Sequence, residues 1–165
     1  NNEDDQRGIL SFHSQSFTKD EAYYLFLGKS NIEDADPKIR YIKMHGRKIY
    51  EFALKNVPGL VKNTIEKAGL TLNDVKKIFI HQANEKMDHE IVKRLFRLYG
   101  IREIPQGVMP MSIQKLGNNS VATVPTLFDL VRKERFGNHE IDTGDIIVFA
   151  SVGAGMNINA IVYKV

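Results

Sequence analysis

A short apolar run that stops abruptly in hydrogen-bonding side chains is the strongest constraint on how this chain folds. Lys77-Ile78-Phe79-Ile80 leads directly into His81-Gln82-Ala83-Asn84, and the residues that follow have helical periodicity. A buried strand, a polar cluster at its carboxyl end and a helix after it is the arrangement in which open α/β sheets place ligands. Two comparable junctions lie downstream: Gly117-Asn118-Asn119-Ser120 ahead of a helical stretch, and Gly153-Ala154-Gly155 after the run Ile146-Ile147-Val148-Phe149-Ala150. An imidazole, a carboxamide and an exposed backbone N–H form a donor set suited to a carbonyl oxygen that gains negative charge. The chain has no cysteine, so a thiolate nucleophile is missing from that set.

The remaining pattern predicts an α/β fold. Residues 9–13 and 22–27 are β-rich runs, expected as two neighbouring strands. Apolar residues then recur on one helical face at Ile49, Phe52, Ala53, Val57, Leu60, Val61, Ile65 and Ala68. Pro58 predicts a kink or restart in that helix, and Gly69 a stop. A second helix carries the stripe Met87, Ile91, Val92, Leu95, Phe96 and Tyr99 up to Gly100, with Lys86, Lys93, Arg94 and Arg97 on its other face. A third spans 121–135, with Ser120 or Thr123 as N-cap and Pro125 confined to the first turn. Residues 146–150 and 158–165 form a last strand pair. The expected class is α/β, a mixed sheet of about five strands packed with helices.

Composition narrows the function classes. With 165 residues and 42% hydrophobic content, one domain is expected over 8–165, with 1–7 a linker or the cut end of a larger protein. The net charge is +3 and the basic residues alternate with acidic ones, which argues against nucleic acid. No apolar run approaches the ~18 residues of a membrane span and no charged-then-apolar leader stands at the start, so the chain reads as cytoplasmic. His89 with Glu85 and Glu90 lacks any recognised ligand spacing, so no metal is expected.

The three junctions, in order and spacing, resemble the C-terminal half of beta-ketoacyl-acyl carrier protein synthase III, a condensing enzyme of the thiolase-like superfamily, over roughly residues 8 to 165. The resemblance implies one thiolase-like half, whose companion N-terminal half carries a nucleophilic cysteine, in an enzyme that works as a homodimer. It implies coenzyme A and acyl carrier protein thioesters as substrates, acyl carrier protein as partner, and no cofactor. His81 and Asn118 would be the catalytic pair that holds the thioester oxygen while malonyl loses carbon dioxide. The backbone N–H of Ala154 would serve the oxyanion hole. Asn84 and Lys86 would contact the pantetheine arm or the carrier, and Val152, Gly153 and Met156 would line the acyl site. Three positions depart from the family pattern: Asn119 where Thr is usual, Ala154 where Gly is frequent, and Lys86 where Arg is common.

Each of these residues also has a plainer reading. A lone histidine at a strand end is more often structural, and only the flanking motif reverses that for His81. Asn118 is also a natural turn or cap residue, and Gly153-Ala154-Gly155 an ordinary hairpin turn. Lys93, Arg94 and Arg97 read equally well as a solvated face or as a surface for an acidic carrier. Asn118-Asn119-Ser120 matches a glycosylation sequon, discounted for a cytoplasmic chain. Among relatives, a thiolase is disfavoured because it normally carries a second catalytic cysteine in this half. Relatives that make polyketides, aryl polyenes or long-chain head-to-head products, or a binding or dimerisation module without chemistry, remain as alternatives.

Overall fold

The computed structural model describes residues 7–134 and 136–165. Four strands form the main sheet in the order β1-β6-β5-β4: β1 (Gly8–Ser16), β4 (Val75–Ile80), β5 (Ile146–Gly153) and β6 (Asn157–Lys164). β4 runs parallel to β5, and the β5–β6 and β6–β1 pairs are antiparallel, so the sheet is mixed. A separate ribbon pairs β2 (Leu25–Gly28) with β3 (Tyr41–Met44). The helices are α1 (Gly46–Lys67), α2 (Glu85–Leu98), the single turn α3 (Ile113–Leu116) and α4 (Thr123–Arg132).

Alternation along the central strands divides the interior in two. Ile78, Ile80, Val148, Ala150, Ile158, Ala160 and Val162 pack with the apolar faces of α1 and α2. Phe79 and Ile147 turn the other way and meet Leu127 and Val131 of α4, with Phe128 and Phe149 beside them. Two-sided burial explains why β4 and β5 read as nearly unbroken apolar runs. β6 alternates because its second face is only half covered.

Several expectations are corrected. Residues 20–24 form a 3-10 turn instead of strand, and the strand that follows pairs with Tyr41–Met44, which lay in the expected connection. β1 pairs with β6, at the far end of the chain; aromatic and β-branched composition marks a pleated segment but not its partner. The main sheet has four strands because residues 25–28 leave it for the ribbon, and residues 105–110 lie along the outer edge of β4. There Ile78 N–H donates to the Val108 carbonyl at 2.8 Å and the buried Lys77 Nζ to the Gly107 carbonyl at 2.8 Å. Pro110, without an N–H, cannot extend that ladder. Neither Ser120 nor Thr123 caps α4; the cap position is Ala122, with no side-chain hydrogen bond. The expected end of that helix at Arg135 lies outside the described residues.

Pro58 neither ends nor restarts α1, which runs unbroken over 22 residues. The proline deprives the Leu54 carbonyl of its partner four residues on. Arg94, reaching across from α2, donates to that carbonyl at 3.3 Å while its Nε pairs with Glu90 at 3.0 Å. Arg94 thus belongs to the α1–α2 packing. Arg94→Ala is expected to destabilise the chain by about 1 kcal/mol, and by less in a Pro58→Ala background, where a restored N–H serves Leu54. Urea titrations of the four variants check this; equal losses in both backgrounds would dismiss the contact.

Candidate active site

The polar cluster stands where β4 meets water. His81 N–H donates to the Ala150 carbonyl at 2.9 Å, the last rung of the β4–β5 pairing, and the chain then leaves the sheet. Asn84 starts α2 as its N-cap, in extended conformation, with Oδ1 accepting from Met87 N–H at 3.2 Å. The residue is exposed. Lys86 is exposed on the first turn of α2.

Asn118 arrives from the other direction. α3 ends at Gly117, whose φ of 67° lies in the left-handed region that favours glycine. Asn118 follows, and its Oδ1 accepts from Ser120 N–H at 2.8 Å. That bond assigns the amide: oxygen is turned in to the loop and the NH₂ group, a donor only, is turned out. Ser120 has φ 53°, an unusual value for a residue with a side chain. Its backbone lies near enough to the His81 imidazole to favour the charged ring, so the turn brings together the two residues that the sequence singled out.

Burial pushes the His81 pKa below the ordinary histidine value, and the neighbouring Ser120 backbone offsets this only in part. The ring is therefore neutral at pH 7 and carries one N–H. A neutral imidazole and an oriented carboxamide on one rim can stabilise a developing oxyanion without adding a formal charge.

At the third junction the turn between β5 and β6 places its positive φ values on Gly155, 69°, and Met156, 46°. Ala154 keeps a negative φ, so its methyl group is compatible with the turn. The Ala154 carbonyl accepts from the Asn157 side chain at 3.0 Å. Gly153 is exposed and Val152 half-buried, while Met156 is packed in the main core. Asn119 is half-buried and makes no capping bond.

Two residues escaped the sequence reading. Gln82 is fully buried, and its side chain ties the end of β4 to Pro110 and Ser112; nothing local announces a contact across such a separation. Asp88 is also fully buried, and neither carboxylate oxygen has a hydrogen-bond partner among the described residues. Its spacing from Ile91, Val92 and Leu95 was the available signal, because it puts an acid on the apolar stripe. Burial first, and then the neighbouring charge of Glu85, push its pKa up to about 8. Among the described residues no group of three or more metal-binding side chains occurs.

A family model for the C terminal of 3-oxoacyl-[acyl-carrier-protein (ACP)] synthase III matches residues 65–165. The chain is 34% identical over 130 residues to the beta-ketoacyl-[acyl-carrier-protein] synthase III of Porphyra umbilicalis, a match covering 78% of this chain and 36% of that protein. It is 30% identical over 131 residues to the synthase III of Lactobacillus helveticus, covering 79% of this chain and 37% of that protein. The solved synthase III of Thermus thermophilus superposes with a TM-score of 0.78 at 26% identity, over 98% of this chain and 47% of that one. The matches thus take in less than half the length of these relatives.

Asp88 generates a pH test. Its folded pKa of about 8 stands above the ordinary 3.8, so the folded state holds the proton more tightly than the unfolded one. Its contribution is greatest below the unfolded value and is lost as pH rises from about 4 towards 8. At about 1.4 kcal/mol per unit, the effect amounts to a few kcal/mol. Asp88→Asn is expected to flatten that slope and to make the chain more stable than the parent at pH 8. Guanidinium unfolding between pH 5 and 9 measures it, and an unchanged slope would refute it.

Proposed function

This chain belongs to the 3-oxoacyl-acyl carrier protein synthase III C-terminal family, and we propose that it supplies the decarboxylating side of a condensing active site. The cysteine stands in a companion half. An acyl group passes from coenzyme A to that thiolate, releasing the coenzyme A thiol and splitting the reaction through a covalent thioester. Malonyl-acyl carrier protein then enters. Its carboxylate leaves as carbon dioxide and the electron pair becomes a thioester enolate, whose oxygen accepts hydrogen bonds from His81 and Asn118. The enolate carbon attacks the acyl-cysteine, the cysteine departs as thiolate, and a 3-oxoacyl-acyl carrier protein results. The Ala154 N–H serves the tetrahedral oxyanion of the acyl-enzyme, with Val152 and Gly153 along the acyl site, while the expected lining residue Met156 is taken up by the core.

The observation that carries this reading is the Asn118 amide, turned outward by its bond to Ser120 beside a neutral His81. Both groups are donors, the chemistry an enolate requires and a nucleophile does not supply. The absence of cysteine agrees with a divided site. So does the apolar surface left uncovered here: Phe12 is 62% exposed, Ile42 73% and Val121, next to Ser120, 92%. Exposed apolar side chains of this kind suit burial on association, and we assign them to the companion half and to a second subunit.

In the complete enzyme, His81→Ala or Asn118→Ala is expected to lower malonyl decarboxylation by about 10²–10³ while acyl transfer to the cysteine persists. Single-turnover assays of the two half-reactions separate them, and poor acyl loading with normal decarboxylation would overturn the assignment. Asn84, Lys86, Lys93 and Arg97 form the approach for the pantetheine arm and its acidic carrier. Lys86→Glu should therefore raise KM for malonyl-acyl carrier protein, most at low salt where repulsion is least screened. A KM unchanged at low ionic strength would remove Lys86 from the docking surface.

A further inference from the structure

Gln82 lies between the two donors in the chain of contacts, and we propose that it is a positioning residue that sets where Asn118 stands relative to His81. The inference rests on the reading above that these two residues hold the enolate oxygen.

The side chain of Gln82 is 0% exposed and its hydrogen bonds all reach one distant loop. Nε2 donates to the Pro110 carbonyl at 2.8 Å, and Oε1 accepts from Ser112 N–H at 2.8 Å and from Ser112 Oγ at 3.1 Å. Residues 105–110 run beside β4 and make one backbone rung, Ile78 to Val108. Proline at 110 has no N–H to continue it. The Gln82 amide stands in that gap as a peptide unit would, with its C=O and its N–H each used on the loop.

From Ser112 the path to Asn118 is short and stiff. The Ser112 carbonyl accepts from Lys115 N–H and Leu116 N–H, both at 2.9 Å, and Gly117 N–H donates to Ile113 at 2.9 Å. One helical turn therefore connects the clamp to the glycine before Asn118. On the return path, the Asn118 side chain holds Ser120, whose backbone lies beside the His81 ring. His81 and Gln82 are adjacent, so the circuit closes on itself. Freeing the Gln82 end leaves the Asn118 turn tethered on one side only.

The test uses the complete enzyme and compares Gln82→Ala, Gln82→Met, Asn118→Ala and the double variant Gln82→Ala/Asn118→Ala. Gln82→Met fills the same space without hydrogen bonds and stands in if the alanine variant does not fold. A misplacement of about 1 Å can cost around a hundredfold. The Gln82 variants are therefore expected to lower kcat for malonyl decarboxylation by about ten- to a hundredfold, with KM and acyl loading within about twofold. In the Asn118→Ala background the same change is expected to have little further effect, because the donor it positions is gone. Full additivity in the double variant, a parallel fall in acyl loading, or unimpaired decarboxylation in the Gln82 variants would overturn the proposal while leaving the assignment of Asn118 standing. Normal decarboxylation in Asn118→Ala itself would overturn that assignment and this one with it.

Discussion

Burial of the parallel β4–β5 pair from both sides is the constraint on which the rest of the molecule depends. With α1 and α2 over one face and α4 over the other, no polar side chain fits along the middle of these strands without a partner. Polar chemistry is consequently concentrated where the strands end. His81 is the first residue past the buried part of β4 and still takes a rung from Ala150. A strand held by two cores gives it a rigid base, which electrostatic stabilisation of a reaction intermediate requires.

At three places side chains take up backbone groups that proline or a turn leaves incomplete. Arg94 serves the Leu54 carbonyl that Pro58 abandons, Gln82 takes up the Pro110 carbonyl and the Ser112 N–H where the backbone ladder lapses, and Asn118 accepts from the Ser120 N–H inside a strained turn. The first two follow from one rule, that buried backbone donors and acceptors need partners. In the Asn118 case the repair also decides which atom of the amide remains free, since Oδ1 is taken by the Ser120 N–H.

Burial also shifts the titrations around the start of α2. It favours the neutral form of both His81 and Asp88, lowering the pKa of the base and raising that of the acid. The buried acid on the first turns of α2 is thus neutral, while the ammonium of Lys86 is exposed.

Much of this was legible in the sequence, because local rules governed it. Helical periodicity located α1 and α2, Gly69 and Gly100 marked their ends, and the apolar runs of β4 and β5 followed from two-sided burial. The three polar junctions stood out for the same reason, each being an interruption of a local pattern. Tertiary structure alone decided the partner of β1, the β2–β3 ribbon, the unbroken course of α1 through Pro58, the reach of Gln82 to Pro110 and Ser112, and the proton on Asp88. These depend on contacts between residues tens of positions apart and on how far water is excluded. A sequence pattern records which residues prefer to be buried or extended, but the atoms they meet once buried are set only when the sheet closes.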